Sequence, residues 1–281
     1  MKMLEGLTVL DLTRLLPGPL ATQHFADHGA RVIKIEDVNR GDYARQDMAI
    51  GVSMSHLFHI LNRGKESLAL DLSRDEGKNI FLTLCKSADI VVENFRPGAM
   101  DRLKLGYEDV RKIKPDIIFC AISAFGANSD NREKAAHDIN ICALSGVSDQ
   151  MGSGECGPAL SNFQVADIAG GALPAINAIL TALFHRERTG KGTFLDISMA
   201  GSLFASNVLP YATRETFKKS PERGGDILTG ALACYGYYET SDGGWIAVGA
   251  LEPQFWERFC NLIDRPDLIP ARLSLDGATK E

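Results

Sequence analysis

Short apolar runs recur through the first half of the chain at residues 7–12, 31–36, 88–95 and 116–123, each rich in Val and Ile. They alternate too little for a sheet with one wet face. Strands buried on both faces read this way in parallel sheets covered by helices. Helix-period segments lie between them at 19–28 and 75–87, the second opening on Asp75 and Glu76, where the positive end of a helix favours acids. Strand and helix in alternation predict an α/β fold built of βαβ units, with sites at the carboxyl ends of a Rossmann-like parallel sheet.

A longer helical pattern runs over 164–188, with Val165, Ile168, Leu173, Ile176, Leu180 and Leu183 as its apolar stripe. Small residues such as Ala166, Gly170, Gly171 and Ala175 crowd the same run, which predicts a central helix approached closely by another backbone. Pro174 predicts a kink and Gly190 a C-terminal cap. Uninterrupted apolar stretches stay short of bilayer length. In the last third, residues 235–240 and 245–250 flank Ser241, Asp242, Gly243 and Gly244, a hairpin signal, and a helix-like segment follows at 255–263. The expected division is a large domain over 1–229 and a smaller, partly antiparallel α+β domain over 230–281.

A chain of 281 residues buries enough core to need no metal or disulfide scaffold. Its net charge of −6, with Lys and Arg scattered, argues against a nucleic-acid partner but allows a small anion held by a few Arg side chains. Six cysteines far apart, without a CxxC pair, predict a reducing compartment. The N-terminus enters a strand pattern directly with Glu5, unlike a signal peptide, so the expectation is a cytoplasmic protein without a membrane partner. His24 with His28, and His56 with His59, lack an HExxH setting, so no metal is expected. Glu36 ends a strand as a ribose-binding acid would, but the preceding turn, Leu16-Pro17-Gly18-Pro19, is not GxGxxG.

The stretch Ala136-His137-Asp138-Ile139-Asn140 follows a loop leaving the carboxyl end of a predicted strand, and with Ile141 it opens an apolar segment. Two readings stand together: His137 and Asp138 cap a helix, or they belong to a site where helix-start N–H groups meet a developing oxyanion. Asp167 stands among small and apolar residues near the start of the long helix. There the helix dipole is expected to keep it ionised, as a base, as a nucleophile, or simply as a helix-start acid. Glu252, before Pro253, reads as a helix-start acid.

Several separated motifs, in order, resemble the class III CoA-transferase family (CaiB/BaiF type) and its racemase relatives. They are Asp11 to Pro19, Gly29 to Glu36, Asn62 to Lys65, Glu93 to Gly98, Ala136 to Asn140, Ala166 to Gly171, and Gly249 to Phe255. The His-Asp-Ile-Asn core is similar to the α-methylacyl-CoA racemase branch, although Ala136 and Ile141 stand where that branch carries Gly and Tyr. The resemblance implies an acyl-CoA substrate, with coenzyme A present as part of the thioester and no separate cofactor. It implies a nucleotide near Leu70, Asp71, Leu72, Ser73, Asn94, Phe95, Arg96 and Arg102, and a thioester site that includes Ala136, Asp138, Ile139, Asn140 and Ile141. Arg96 and Arg102 are also credible phosphate partners on chemical grounds, or else ordinary solvated side chains.

The family's shared aspartate maps to Asp167: a covalent nucleophile in transferases, and in racemases one of two bases with a His that maps to His137. Glu252, in the last motif, is carried as a third catalytic position. The expected activity is therefore racemisation or epimerisation of 2-methylacyl-CoA thioesters by two-base α-proton transfer. The alternative is CoA transfer between carboxylic acids through an aspartyl intermediate. Family members continue past the small domain and form interlocked homodimers. The stop at Glu281 therefore adds a fragment, a shortened relative or a partly recorded protein to the readings, and with them a non-catalytic acyl-CoA-binding remnant.

Overall fold

The computed structural model describes residues 2–46 and 55–275. The elements run β1 (Thr8–Asp11), α1 (Pro17–Asp27), β2 (Arg31–Glu36), α2 (His56–Asn62), β3 (Glu66–Ala69), α3 (Asp75–Cys85) and β4 (Ile90–Glu93). Two single-turn helices follow, α4 (Ala99–Arg102) and α5 (Tyr107–Val110), then β5 (Ile118–Ser123), α6 (Asp138–Leu144) and α7 (Val147–Gln150). The chain continues through a π-helical segment (Ala166–Ala172), α8 (Leu173–Thr189), β6 (Thr193–Ser198), α9 (Met199–Ser206), α10 (Val208–Phe217), β7 (Tyr235–Glu239), β8 (Trp245–Gly249) and α11 (Pro253–Leu262). They form two compact units, residues 1–144 with 163–205, and residues 145–162 with 206–281. The second unit thus takes in α10 and the 145–162 segment as well as the residues from 230 onward.

In the first unit six parallel strands lie in the order β3-β2-β1-β4-β5-β6. The central strands β1, β4 and β5 are the apolar runs of the sequence, buried on both faces. Phe81 and Cys85 of α3 pack with Leu10, Ile33, Val91 and Phe119 on one side of the sheet, while α1 and α8 pack together and against its strands. The edge strands β3 and β6 carry no long apolar run, which is why hydrophobic patterning does not reveal them. Strand order reverses between β1 and β4, which opens a crevice beyond their carboxyl ends.

The long helix differs from its pattern in two ways. Its first turns are π-helical, and its buried face combines the small residues Ala166, Gly170, Gly171, Ala172 and Ala175 with Ile176 and Leu183 of the expected stripe, whereas Leu173 is 55% exposed. Backbone proximity decides this, because a Cβ on Gly170 would sit 2.6 Å from the carbonyl oxygen of Met199. Gly170→Ala is therefore expected to destabilise the protein by about 1–3 kcal/mol in denaturant unfolding, since overpacking outweighs the better helix propensity of Ala. An unchanged midpoint would contradict this packing. Gly190 caps α8 in the left-handed conformation, its N–H donating to Arg186 O at 2.7 Å. The run Ala166–Thr189 has a mean hydropathy of 1.5 in its most apolar window, long and apolar enough to cross a bilayer by length and composition, although Asp167 interrupts its apolar residues. It packs against α1, β5 and β6.

In the second unit β7 and β8 pair antiparallel across the 241–244 turn, where Gly243 takes a φ of +78°. Trp256 and Cys260 of α11 pack with Cys234 and Val248, and the Trp256 indole donates to Leu268 O at 3.0 Å.

Candidate functional site

The loop leaving β1 is fixed by buried charges. Asp11 accepts from Thr13 N and Oγ1 through one carboxylate oxygen, and from Thr22 Oγ1 (2.6 Å) and Lys65 Nζ (3.0 Å) through the other. Burial opposes ionisation of Asp11, but Lys65, Lys34 and the two hydroxyls outweigh it and hold its pKa down at about 2. Lys34 Nζ donates to Thr13 O at 2.8 Å and lies 2.9 Å from Asp42, whose other oxygen accepts from the N–H of Leu15. Leu15 is held at a φ of +65°, a strained setting for a bulky residue. Asn94, after β4, accepts from Arg14 N and donates to Arg14 O, both at 2.9 Å, and so ties the two strand ends together at the crevice. Next to it Glu93 accepts from Phe95 N at 2.6 Å. Burial, aided by Asp101 and Asp196, pushes the Glu93 carboxyl up to about 8.

Glu36 does not present a free carboxylate to a ribose. Arg45 binds it bidentately at 2.7 Å, and Ser67 Oγ and Asp42 N also donate to it. Against the cost of burial, these donors lower its pKa to about 2.

The His-Asp-Ile-Asn stretch forms the start of α6. The carbonyl of His137 accepts from Asn140 N and Ile141 N, and the Asn140 side chain accepts from His137 N at 3.0 Å. The capping reading thus holds for the backbone, while the imidazole stays exposed. Asp138 caps a different element. One of its oxygens accepts from Ala166 N (2.6 Å) and Asp167 N (3.0 Å), the other from the thiol of Cys142 at 3.5 Å. A carboxylate 28 residues earlier in the chain therefore pins the π-helical turn that carries Asp167. The dipole is not the largest influence on Asp167: its pKa rises to about 6, first through burial and then through the Asp138 charge, with His137 opposing, which still leaves it mostly ionised at neutral pH. Desolvation and a neighbouring carboxylate outweigh the dipole.

His137 and Asp167 line one cleft of about 280 Å³ in the first unit, together with Asn94, Phe95, Arg96 and Ala136. Leu70, Asp71, Leu72 and Ser73 line another of about 350 Å³, and Arg14 and Phe95 belong to both. The Arg14 guanidinium lies 5.1 Å from the Phe95 ring centre, a cation–π contact where the clefts meet. Of the remaining expected positions, Ile141 is buried in the core and Ile139 is exposed. Arg102 is exposed on α4 and lines neither cleft. Glu252 lies in the second unit, exposed, where its carbonyl accepts from Phe255 N and Trp256 N at the start of α11. Sequence reasoning missed Arg14, Arg132 and Lys134 as cleft residues. Of these, Arg14 alone had a signal, lying in the Asp11–Pro19 motif shortly after a strand end. Among the described residues, no group of three or more His, Cys, Asp or Glu side chains is placed to hold a metal ion.

Residues 4–279 match CoA-transferase family III. The chain is 38% identical over 277 residues to alpha-methylacyl-CoA racemase of Homo sapiens, covering 97% of this chain and 68% of that protein. It is 35% identical over 270 residues to succinyl-CoA:glutarate CoA-transferase of Mus musculus, covering 96% of this chain and 61% of the relative. Among solved structures, a CAIB/BAIF family protein from Brucella suis superposes with a TM-score of 0.83 at 32% identity, over 97% of this chain and 73% of that one. The chain therefore spans roughly two thirds of the length of these relatives.

Proposed function

From the premise that the chain belongs to CoA-transferase family III, we propose that it racemises or epimerises 2-methylacyl-CoA thioesters, with His137 and Asp167 as the two bases. The observation that carries this reading is their meeting in one cleft, with the Asp167 carboxyl poised at about 6. A carboxyl of that pKa takes and returns a proton near neutral pH more readily than an ordinary aspartate. Lining one cleft, the pair can serve the two faces of an α-carbon. CoA would run along Asn94–Arg96 towards Leu70–Ser73. Glu252 enters as a third catalytic position through the family motif alone, and a cytoplasmic homodimer is the proposed working form.

A 2-methylacyl-CoA incubated in deuterated water with the protein should exchange its α-proton, and His137→Ala should lose interconversion of the two hands. Intact CoA binding without exchange would falsify the reading. The second reading, CoA transfer through Asp167, is supported by the same half-buried carboxylate and by the likeness to the mouse transferase. It predicts that hydroxylamine traps a modified Asp167 after exposure to acyl-CoA.

A further inference from the structure

Two stretches of chain leave the sheet to line the 280 Å³ cleft: Asn94–Arg96 beyond β4, and the loop that runs from β5 to His137. Each is tied near its start by a carboxylate of the sheet. Glu93 accepts from Phe95 N at 2.6 Å, and Asp196 of β6 accepts from Ala127 N at 2.8 Å. Gly126 turns there at a φ of +81°, where a Cβ would sit 3.4 Å from the Asp196 carboxylate.

The two carboxylates belong to one row of the sheet. Glu93 pairs with Ala121, and Ala121 with Asp196, so the three side chains leave the same face. Two strand spacings set the outer Cα atoms about 10 Å apart, a gap that Glu and Asp side chains narrow over the methyl of Ala121. Tyr107 of α5 marks that face one row earlier, its ring against Phe119 and Phe194 at centre distances of 6.3 and 5.6 Å. Asp11 of β1 pairs with Val92 and so leaves the opposite face. The charges that bear on Glu93 are Asp101 of α4 and Asp196, both of its own sign, and among the described residues no cation is set against them. The thiol of Cys120, next along β5, is pushed up by burial and by Glu93 and Asp196.

Burial and these neighbours hold the Glu93 proton to about pH 8. Once it leaves, like charges share one row. Because Glu93 and Asp196 are each tied to a backbone N–H, they separate only by carrying Phe95 or Ala127 with them.

We propose that Glu93 is a positioning residue: with its proton it keeps Asn94–Arg96 and the loop to His137 in one arrangement, and losing the proton loosens the acyl-CoA cleft. This rests on the reading of the cleft as an acyl-CoA site. S-propyl-CoA, an unreactive thioether whose phosphates are ionised above about pH 7, is titrated calorimetrically from pH 7 to pH 9.5. Wild-type affinity should fall about tenfold over that range, because the ligand binds the form that keeps the proton. Glu93→Gln retains an acceptor for Phe95 N and never ionises, so its affinity should change by less than about twofold. Asp196→Asn retains an oxygen for Ala127 N and removes the opposing charge, so the fall should move to higher pH. A flat wild-type profile, an equal fall in Glu93→Gln or an unmoved one in Asp196→Asn overturns the proposal and leaves the acyl-CoA reading standing. A thioether that binds at no pH overturns the acyl-CoA reading instead, and amide exchange in the ligand-free protein then decides the role of Glu93. Protection of the Phe95 or Ala127 N–H in the wild type, relative to Glu93→Gln, should fall about tenfold between pH 7 and pH 9. An unchanged ratio at both amides overturns the proposal.

Discussion

Asp167→Asn is expected to slow racemisation by about a thousandfold or more while making the protein more stable at neutral pH. The amide keeps the shape of the side chain and its place in the π-helical turn, but it neither takes a proton nor attacks a thioester. The stability gain follows from the sign of the pKa shift. The folded carboxyl titrates at about 6, above its ordinary 3.8, so the folded state holds the proton more tightly than the unfolded chain. That contribution to stability is fully present below about pH 4 and is lost as pH rises through about 6. The variant carries no such loss and should exceed the wild type by about 1–2 kcal/mol at pH 7, with the gap closing below pH 4. Denaturant unfolding at pH 4 and pH 7 measures both values. A variant less stable than the wild type at pH 7 would show that the carboxylate is paired rather than strained. Wild-type turnover should rise with pH through about 6, as Asp167 ionises.

The second large effect lies in the buried charges beneath the site. Lys34→Met is expected to cost about 3–5 kcal/mol, because it leaves the fully buried Asp42 carboxylate and the Thr13 carbonyl without their cation. Met fills the space, so the loss reports the charge rather than a cavity. The same change releases Thr13 to Leu15, and with them the φ of +65° at Leu15 and the placement of Arg14 between the two clefts. Affinity for CoA should therefore fall beyond what stability explains, measured at a temperature where the variant stays folded. A variant that loses less than about 1 kcal/mol would mean that the pair contributes nothing net. The network also sets the acid limit of the fold. Asp11 and Glu36 both titrate at about 2, below their ordinary values, so their contribution is present above about pH 4 and disappears as pH falls through about 2.

Much of this architecture was legible because it depends on continuous burial. The runs that became β1, β2, β4 and β5 are buried on both faces, and the Asp75–Glu76 start, the Gly190 cap and the 241–244 turn are local signals with local causes. The edge strands β3 and β6 were not legible, because a strand with a solvated rim needs no apolar run. The buried face of the long helix was legible in its small residues and in Ile176 and Leu183, but not at Leu173 and Leu180. The spacing of Leu173 and Leu180 suits a core, but close approach by Met199 and Pro17 selects Gly170 and Gly171 instead. At the site, His137 and Asp167 stood out through motif and position. The environment that tunes Asp167 did not, because it comes from burial and from Asp138, whose side chain reaches across 28 intervening positions to its backbone. Arg132 and Lys134 were invisible as site residues because, in a sequence, they look like any solvated cations.

The central claim is that His137 and Asp167 act on one α-carbon from two sides. The measurement that tests it most directly is α-proton wash-out in deuterated water from each pure enantiomer of a 2-methylacyl-CoA, using His137→Ala and Asp167→Asn. Each variant should retain exchange of one enantiomer and lose that of the other, with the retained hand reversed between the two. Loss of both hands in Asp167→Asn, together with full exchange of both in His137→Ala, would contradict the two-base account and leave Asp167 acting alone.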